Sequence, residues 1–130
     1  MKFFVDNNLG ESLVRGMKGF GVNICHLKDH FPENAPDTTW IPFVGENNYF
    51  LITRDLRLRW HPAELQSLYE YNVGSFFLAG KDRTKWQLIQ QLVRHWLRIN
   101  DFALKTKRPF AFNIPSKGTK IIKIPIQNFQ

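Results

Sequence analysis

Phe50-Leu51-Ile52-Thr53-Arg54-Asp55 is an apolar run that stops at a basic residue and an aspartate, and Phe3-Phe4-Val5-Asp6 near the start of the chain repeats the design. Short apolar runs without polar alternation are strands buried on both faces, the pattern of a parallel sheet covered by helices. Ligands of open α/β sheets bind outside the carboxyl ends of the strands. Two strands ending in aspartate therefore predict two carboxylates on one rim, and a divalent-metal site is the first chemistry to weigh there.

A chain of 130 residues fits one domain with one substantial core. At 43% hydrophobic and 15% aromatic, with twelve Phe, it is far too apolar for a disordered segment. The net charge of +7, from 18 Lys and Arg against 11 acids, favours polyanionic partners, with nucleic acid ahead of an acidic membrane. The single cysteine, Cys25, excludes an intramolecular disulfide and fits a reducing compartment, so a cytoplasmic location is expected. No run of eighteen apolar residues and no signal-peptide pattern occurs, so neither export nor a membrane span is expected.

Around the two strands the rest of the chain falls into order. Lys2 to Val5 is the first strand, and Asp6-Asn7-Asn8 turns into a helix from about Leu9 to Met17, with Asn8 and Glu11 spaced as a capping box. Gly19 and Gly21 end it, and Val22 to Leu27 forms the second strand. After a loop with Pro32 and Pro36, Asp37 stands at the N-cap of a short helix that Pro42 is expected to kink or shorten. Tyr49 to Thr53 is the third strand, followed by a basic irregular segment from Asp55 to His61. Pro62 opens a helix to about Tyr71, and Val73 to Ala79 is the fourth strand, ended by Gly80-Lys81.

Thr84 and Gln87 form a capping box for the longest helix, to about Leu104. Its apolar residues Trp86, Ile89, Val93, Trp96, Ile99 and Ala103 are expected to face the sheet, and Gln87, Gln91, Arg94, Arg98 and Lys105 to face solvent. Trp40, Trp86 and Trp96 are assigned to the core. Phe110 to Ile114 and Thr119 to Ile126, joined through Pro115-Ser116-Lys117-Gly118, form a hairpin, with Lys120, Lys123 and Pro125 suited to an edge strand. The expected architecture is a single α/β domain over residues 1–130, a three-layer sandwich with a mostly parallel sheet between helices. Its core spans about 1–105, and the C-terminal β-hairpin about 109–126.

Each acid has an ordinary reading. Asp6 is a common turn residue after a strand and Asp37 a common cap. Asp55 has neither excuse, and the topology gathers all three: two at strand ends and one opening a helix between those strands. Clustered carboxylates raise one another's pKa unless a cation compensates. Mg²⁺ or Mn²⁺ is the natural counter-charge, because both take oxygen ligands and keep waters for substrate oxygens.

The basic residues Arg94, Arg98, Lys105, Lys107 and Arg108 read first as a solvated face. Together with Arg54, Arg57, Arg59 and Lys81 near the acidic rim they also suit a phosphate backbone, and Trp60, Tyr69 and Tyr71 are available to stack on bases. Cys25, His26 and His30 lack a second ligand pair at zinc spacing. No G-x-S-x-G or glycine-rich phosphate loop occurs, which removes serine-hydrolase and P-loop chemistry. A phosphoacceptor receiver-like signalling domain, with Asp6 on Mg²⁺, Asp55 phosphorylated and Lys81 on the phosphoryl group, is the alternative from another class. It needs a close acid pair at the first strand, where only Asp6 stands.

The order Phe3-Phe4-Val5-Asp6-Asn7-Asn8-Leu9, then Asp37-Thr38-Thr39-Trp40-Ile41-Pro42, then Leu51-Ile52-Thr53-Arg54-Asp55 resembles the PIN-like nucleases, particularly the branch related to VapC-type toxins. The similarity extends through Ser75-Phe76-Phe77-Leu78-Ala79-Gly80-Lys81 and the Trp-rich long helix. The resemblance implies a Mg²⁺- or Mn²⁺-dependent endoribonuclease, the toxin of a type II toxin–antitoxin pair. Asp6, Asp37 and Asp55 would be its metal ligands and catalytic acids. It further implies Asn8 as an accessory contact, Thr53 as support behind the ligands, and Arg54, Arg57 and Arg59 facing phosphates. RNA is the implied substrate, with a cognate antitoxin over the acidic rim and a homodimer as a further expectation. The family pattern carries a fourth acid, a Glu on a helix between the first and middle Asp, and here only Glu11 and Glu33 lie in that interval. Loss of the chemistry would leave a non-catalytic RNA- or partner-binding module.

Overall fold

The structure is a computed structural model that describes residues 1–54 and 62–126. Asp55, Arg57 and Arg59, which the sequence reading places at the rim, and Trp60, expected to be available for stacking on bases, lie outside the described residues.

Strands β1 (Phe3–Val5), β2 (Ile24–His26), β3 (Phe50–Thr53), β4 (Gly74–Leu78), β5 (Phe110–Ile114) and β6 (Ile122–Ile124) form one sheet in the order β2-β1-β3-β4-β5-β6. The first five are parallel and β6 runs antiparallel to β5, so the expected α/β sandwich with its C-terminal hairpin is what forms. The chain leaves β1 for β2 on one side and returns to β3 on the other. The strand order therefore reverses at the β1–β3 pair, where α/β sheets open a crevice.

Among the described residues the helices are α1 (Glu11–Gly19), α2 (Asp37–Glu46), α3 (Pro62–Glu70) and α4 (Lys85–Lys105). The pleat sorts the strand residues between two cores. Phe3, Val5, Ile52, Phe76, Leu78, Phe110 and Phe112 pack with α1 and α4, while Phe4, Leu51, Phe77 and Ala111 pack with α2 and α3. Trp40 of α2 is buried and stacks on Phe4 with ring centroids 5.7 Å apart, as its apolar setting predicts. None of the described helices is long and apolar enough to cross a membrane.

Several local expectations are corrected. Gly10 rather than Asn8 caps α1, with no side-chain bond, and the Asn8 backbone N–H that a capping box would give to Glu11 goes to Asp6 Oδ1 instead. The second strand is shorter than Val22 to Leu27, since Leu27–Asp29 coils into a 3₁₀ turn capped by His26. Pro36 is the N-cap of α2, so Asp37 is its first residue. Pro42 lies inside that helix without ending it. A proline there removes one backbone bond, and burial of Trp40, Ile41 and Val44 outweighs the loss.

The largest correction concerns α4. Its Thr84–Gln87 capping box forms, but the helix is rotated from the expected setting: Leu88, Gln91, Leu92, His95, Ile99 and Ala103 face the sheet. Trp86 is 70% exposed and Val93 58%, so neither belongs to the core. Trp96 is partly buried against Phe3, with rings 4.7 Å apart. Gln91, expected in solvent, is buried and donates to the carbonyls of Ala79 and Ile114, both at 3.0 Å. Those bonds satisfy backbone groups where β4 and β5 end, which an apolar side chain could not do.

Candidate active site

Asp6 follows β1 and Thr53 ends β3, and the register pairs Val5 with Ile52, so the two side chains stand side by side at the rim. By alternation both point toward α2 and α3, the same face as Phe4 and Leu51. The Thr53 hydroxyl donates to Asp6 Oδ2 at 2.5 Å, with Thr53 0% and Asp6 2% exposed. Asp6 Oδ1 accepts from the Asn8 backbone N–H at 3.2 Å, and the Asp6 carbonyl accepts from Leu9 N–H at 3.2 Å. A charge-assisted bond of this kind fixes a carboxylate's orientation as well as its position.

The turn that carries Asn7 and Asn8 is pinned from below. Leu9 is buried and its carbonyl lies 2.9 Å from His26 Nε2, while His26 Nδ1 accepts from the Lys28 N–H at 3.1 Å. That acceptance puts the ring proton on Nε2, which donates to Leu9. His26 is thus committed to structure, and Cys25 beside it is buried in the core, where desolvation raises its thiol pKa. The zinc reading of this segment gains nothing from the fold.

A cleft of about 530 Å³ opens above these residues, and its walls include Asp6, Asn7, Asn8, Asp37, Glu64 and Ser67. Asp37 enters from the first turn of α2 and Glu64 from the first turn of α3. Helices that return from the rim begin at the rim, so first-turn acids of α2 and α3 face the ends of the strands between them. The structure thus brings Asp6 and Asp37 into one cleft, as expected, and adds Glu64, which sequence reasoning missed. Of the two acids considered for a fourth position, Glu33 lines the cleft and Glu11 does not. Both carboxylates are drawn to Lys28, Glu33 at 3.4 Å and Glu11 at 3.9 Å, while the Glu33 carbonyl accepts from the Asn7 side chain.

The basic residues divide into two groups. Arg54 follows β3 and donates to the Gly80 carbonyl at 3.0 Å, joining the ends of β3 and β4 next to exposed Lys81. Gly80 has φ +111°, a conformation only glycine adopts easily, so this chain reversal is built into the sequence. Arg94 and Arg98 instead reach the β5–β6 connection, donating to the carbonyls of Ser116, at 3.0 Å, and Thr119. Tyr69 and Tyr71 are partly exposed at the opposite end of α3 from Glu64.

Carboxylate and amide oxygens are the donors that hard divalent cations take, so the chemistry of the cleft fits Mg²⁺ or Mn²⁺. Among the described residues, no three His, Cys, Asp or Glu side chains are placed to hold a single ion. Asp55, two residues past Thr53, lies outside the described residues.

An open, mostly parallel sheet with acids gathered where its strand order reverses defines an α/β protein whose cleft lies at the carboxyl ends of its strands. The chain belongs to the PIN-like domain family: a family model described as PIN like domain matches residues 1–80, from β1 through β4 and its rim. PIN-like domains are typically nucleases. Comparison of the chain with curated proteins and with solved structures finds no match.

Proposed function

We propose that the protein is a metal-dependent endoribonuclease and serves as the toxin of a type II toxin–antitoxin pair in the cytoplasm. The observation that carries this reading is the convergence of Asp6, Asp37 and Glu64 on one cleft at the point where the strand order reverses. Asp6, Asp37 and Asp55, with Glu64 as the further acid, would hold Mg²⁺ or Mn²⁺, and Asn8 would be an accessory contact. When bound, a divalent cation supplies Lewis acidity to a phosphodiester and makes water a better nucleophile.

The chain's own groups do the rest. Thr53 holds the Asp6 carboxylate in one orientation through their 2.5 Å bond. Glu64, half-buried in the cleft wall, would complete that set of acids. Arg54 and Lys81, with Arg57 and Arg59, would hold the phosphates that flank the cut, and Arg94 and Arg98 would extend that contact. The net charge of +7 draws RNA to the rim, and an antitoxin segment would silence the protein by covering it.

The test is cleavage of a mixed RNA pool with Mn²⁺ or Mg²⁺, with EDTA, and by Asp55→Asn. Metal-dependent cutting that the substitution abolishes supports the reading. RNA bound equally with and without EDTA but never cut, by wild type and variant alike, would replace it with a non-catalytic binding module.

A further inference from the structure

We infer that the outer face of α4 is a dimer seam that pairs with the same helix of a second copy in antiparallel register. The inference is independent of the nuclease reading.

A surface helix on a sheet buries one stripe and turns polar residues outward. α4 does not. Opposite its buried stripe, Trp86, Val93, Leu97 and Leu104 are 70%, 58%, 85% and 74% exposed, four of the chain's large apolar side chains on one helix. Gln90 and Asn100 complete the line. At about 100° per residue these six positions fall within about 80° of arc, across the helix from the buried Leu88 and His95. They recur alternately four and three residues apart, the heptad spacing of about 3.5 by which helices supercoil around each other. Over about 27 Å of helix, solvent faces a finished coiled-coil seam.

The order of residues along the seam selects the occupant. Read from either end it runs apolar, amide, apolar, apolar, amide, apolar, a palindrome centred on residue 95. A self-complementary patch of this kind is what a two-fold interface requires, since each residue meets its counterpart twice. In the antiparallel register Trp86 of one copy faces Leu104 of the other, Gln90 faces Asn100, and Val93 faces Leu97. Asn100 Nδ2 is already given to the Trp96 carbonyl at 2.7 Å, so its side-chain oxygen is oriented to accept from the facing glutamine. A polar pair within an apolar seam fixes register.

Two local features fit the same geometry. At the Trp86 end an apolar groove of about 360 Å³ opens between α4 and α1, with Leu13, Gly16 and Ile89 in its walls. A Cβ on Gly16 would meet nothing within 4 Å, so the groove is open to the incoming Leu104. Arg94 is the flanking residue that approaches its own copy at the two-fold axis, and its guanidinium is drawn aside onto the Ser116 carbonyl at 3.0 Å.

The test is sedimentation equilibrium of the full chain across micromolar concentrations, for wild type, Leu97→Glu, and a double variant carrying Gln90→Cys and Asn100→Cys. The inference expects a dimer for wild type and a monomer for Leu97→Glu, whose circular dichroism stays unchanged because the side chain lies in solvent. Mild oxidation should crosslink the double variant into covalent dimers through the 90–100 pair, while Leu97→Cys alone crosslinks far less, as the antiparallel offset requires. A monomeric wild type, a dimer that survives Leu97→Glu, or preferential crosslinking at 97 would each overturn it. Capture of a foreign amphipathic helix by a monomeric wild type would assign the seam to another partner.

Discussion

Replacing Thr53 by Val removes one atom's worth of chemistry from the floor of the cleft and almost nothing else. The two side chains have the same shape, so no cavity forms, and on β-propensity and apolarity alone Val would be the better residue in a buried strand. The structure predicts the opposite. The Thr53 hydroxyl donates at 2.5 Å to a carboxylate that is 2% exposed, and hydrogen bonds to charged groups are worth about 1.5–3 kcal/mol net. Thr53→Val should therefore lose about 2 kcal/mol. Thr53→Ser keeps the donor and loses one buried methyl group, about 1 kcal/mol. The predicted order is Thr, then Ser, then Val, which inverts the hydrophobic ranking. Urea unfolding in EDTA, followed by far-ultraviolet circular dichroism, reads this directly, and with a slope near 2 kcal/mol/M the Val midpoint should fall by about 1 M. In the cleavage assay the same variant should lose about tenfold or more, since an unsupported ligand is a poorly aimed one. A Val variant as stable as wild type would refute the claim that this bond holds Asp6.

Gly45→Ala should lose more than about 3 kcal/mol and lower Tm by about 10 °C in calorimetry. Its Cβ would sit 2.1 Å from the Tyr71 carbonyl oxygen, and a near-wild-type Tm would mean that α2 and the end of α3 are not in close contact. The His95 pKa is lowered below 6.5, chiefly by burial and then by Arg94 and Arg98, with the Pro115 carbonyl opposing the shift. The unfolded chain thus takes up this proton more readily than the fold does, so the contribution to stability is full above pH 6.5 and falls as pH drops below it. Urea midpoints at pH 7.5 and 5.5 should show the drop and His95→Gln should flatten it; an unchanged slope in the variant would contradict the assignment. Lys81→Ala should weaken single-stranded RNA binding alike for all sequences and reduce the salt slope by about 0.7, the value for one phosphate contact. An unaltered slope would remove Lys81 from the interface.

Most of the fold was legible because its strands are short, wholly apolar and bounded by turn residues. Phe50 to Thr53 and Phe3 to Val5 admit no amphipathic helix, and Gly80, Asn48 and Asn72 mark turns where φ is positive. The setting of α4 was not legible, since the helix carries two apolar stripes and periodicity cannot tell which one meets the sheet. Exposed Trp86 and buried Gln91 decide it only once the carbonyls of Ala79 and Ile114 are in place to accept from the amide. At the site, Asp6 and Asp37 were readable from where strands end and helices begin. Glu64 was hidden because an acid in a first helical turn ordinarily just complements the helix dipole. The available signal was topological: the helix after a rim strand must start at that rim, so its first turn looks into the cleft.

The central claim is that the rim acids Asp6 and Asp37, together with Asp55 and with Glu64 as the further acid, hold a divalent cation between them. Electron paramagnetic resonance titration of the metal-free protein with Mn²⁺, repeated on Asp6→Asn, Asp37→Asn and Glu64→Gln, tests it without depending on an RNA target. The account predicts saturable Mn²⁺ binding by wild type that weakens at least tenfold in each variant while the fold persists. Wild-type protein that leaves all the Mn²⁺ free, or binding that none of the three substitutions changes, would contradict it.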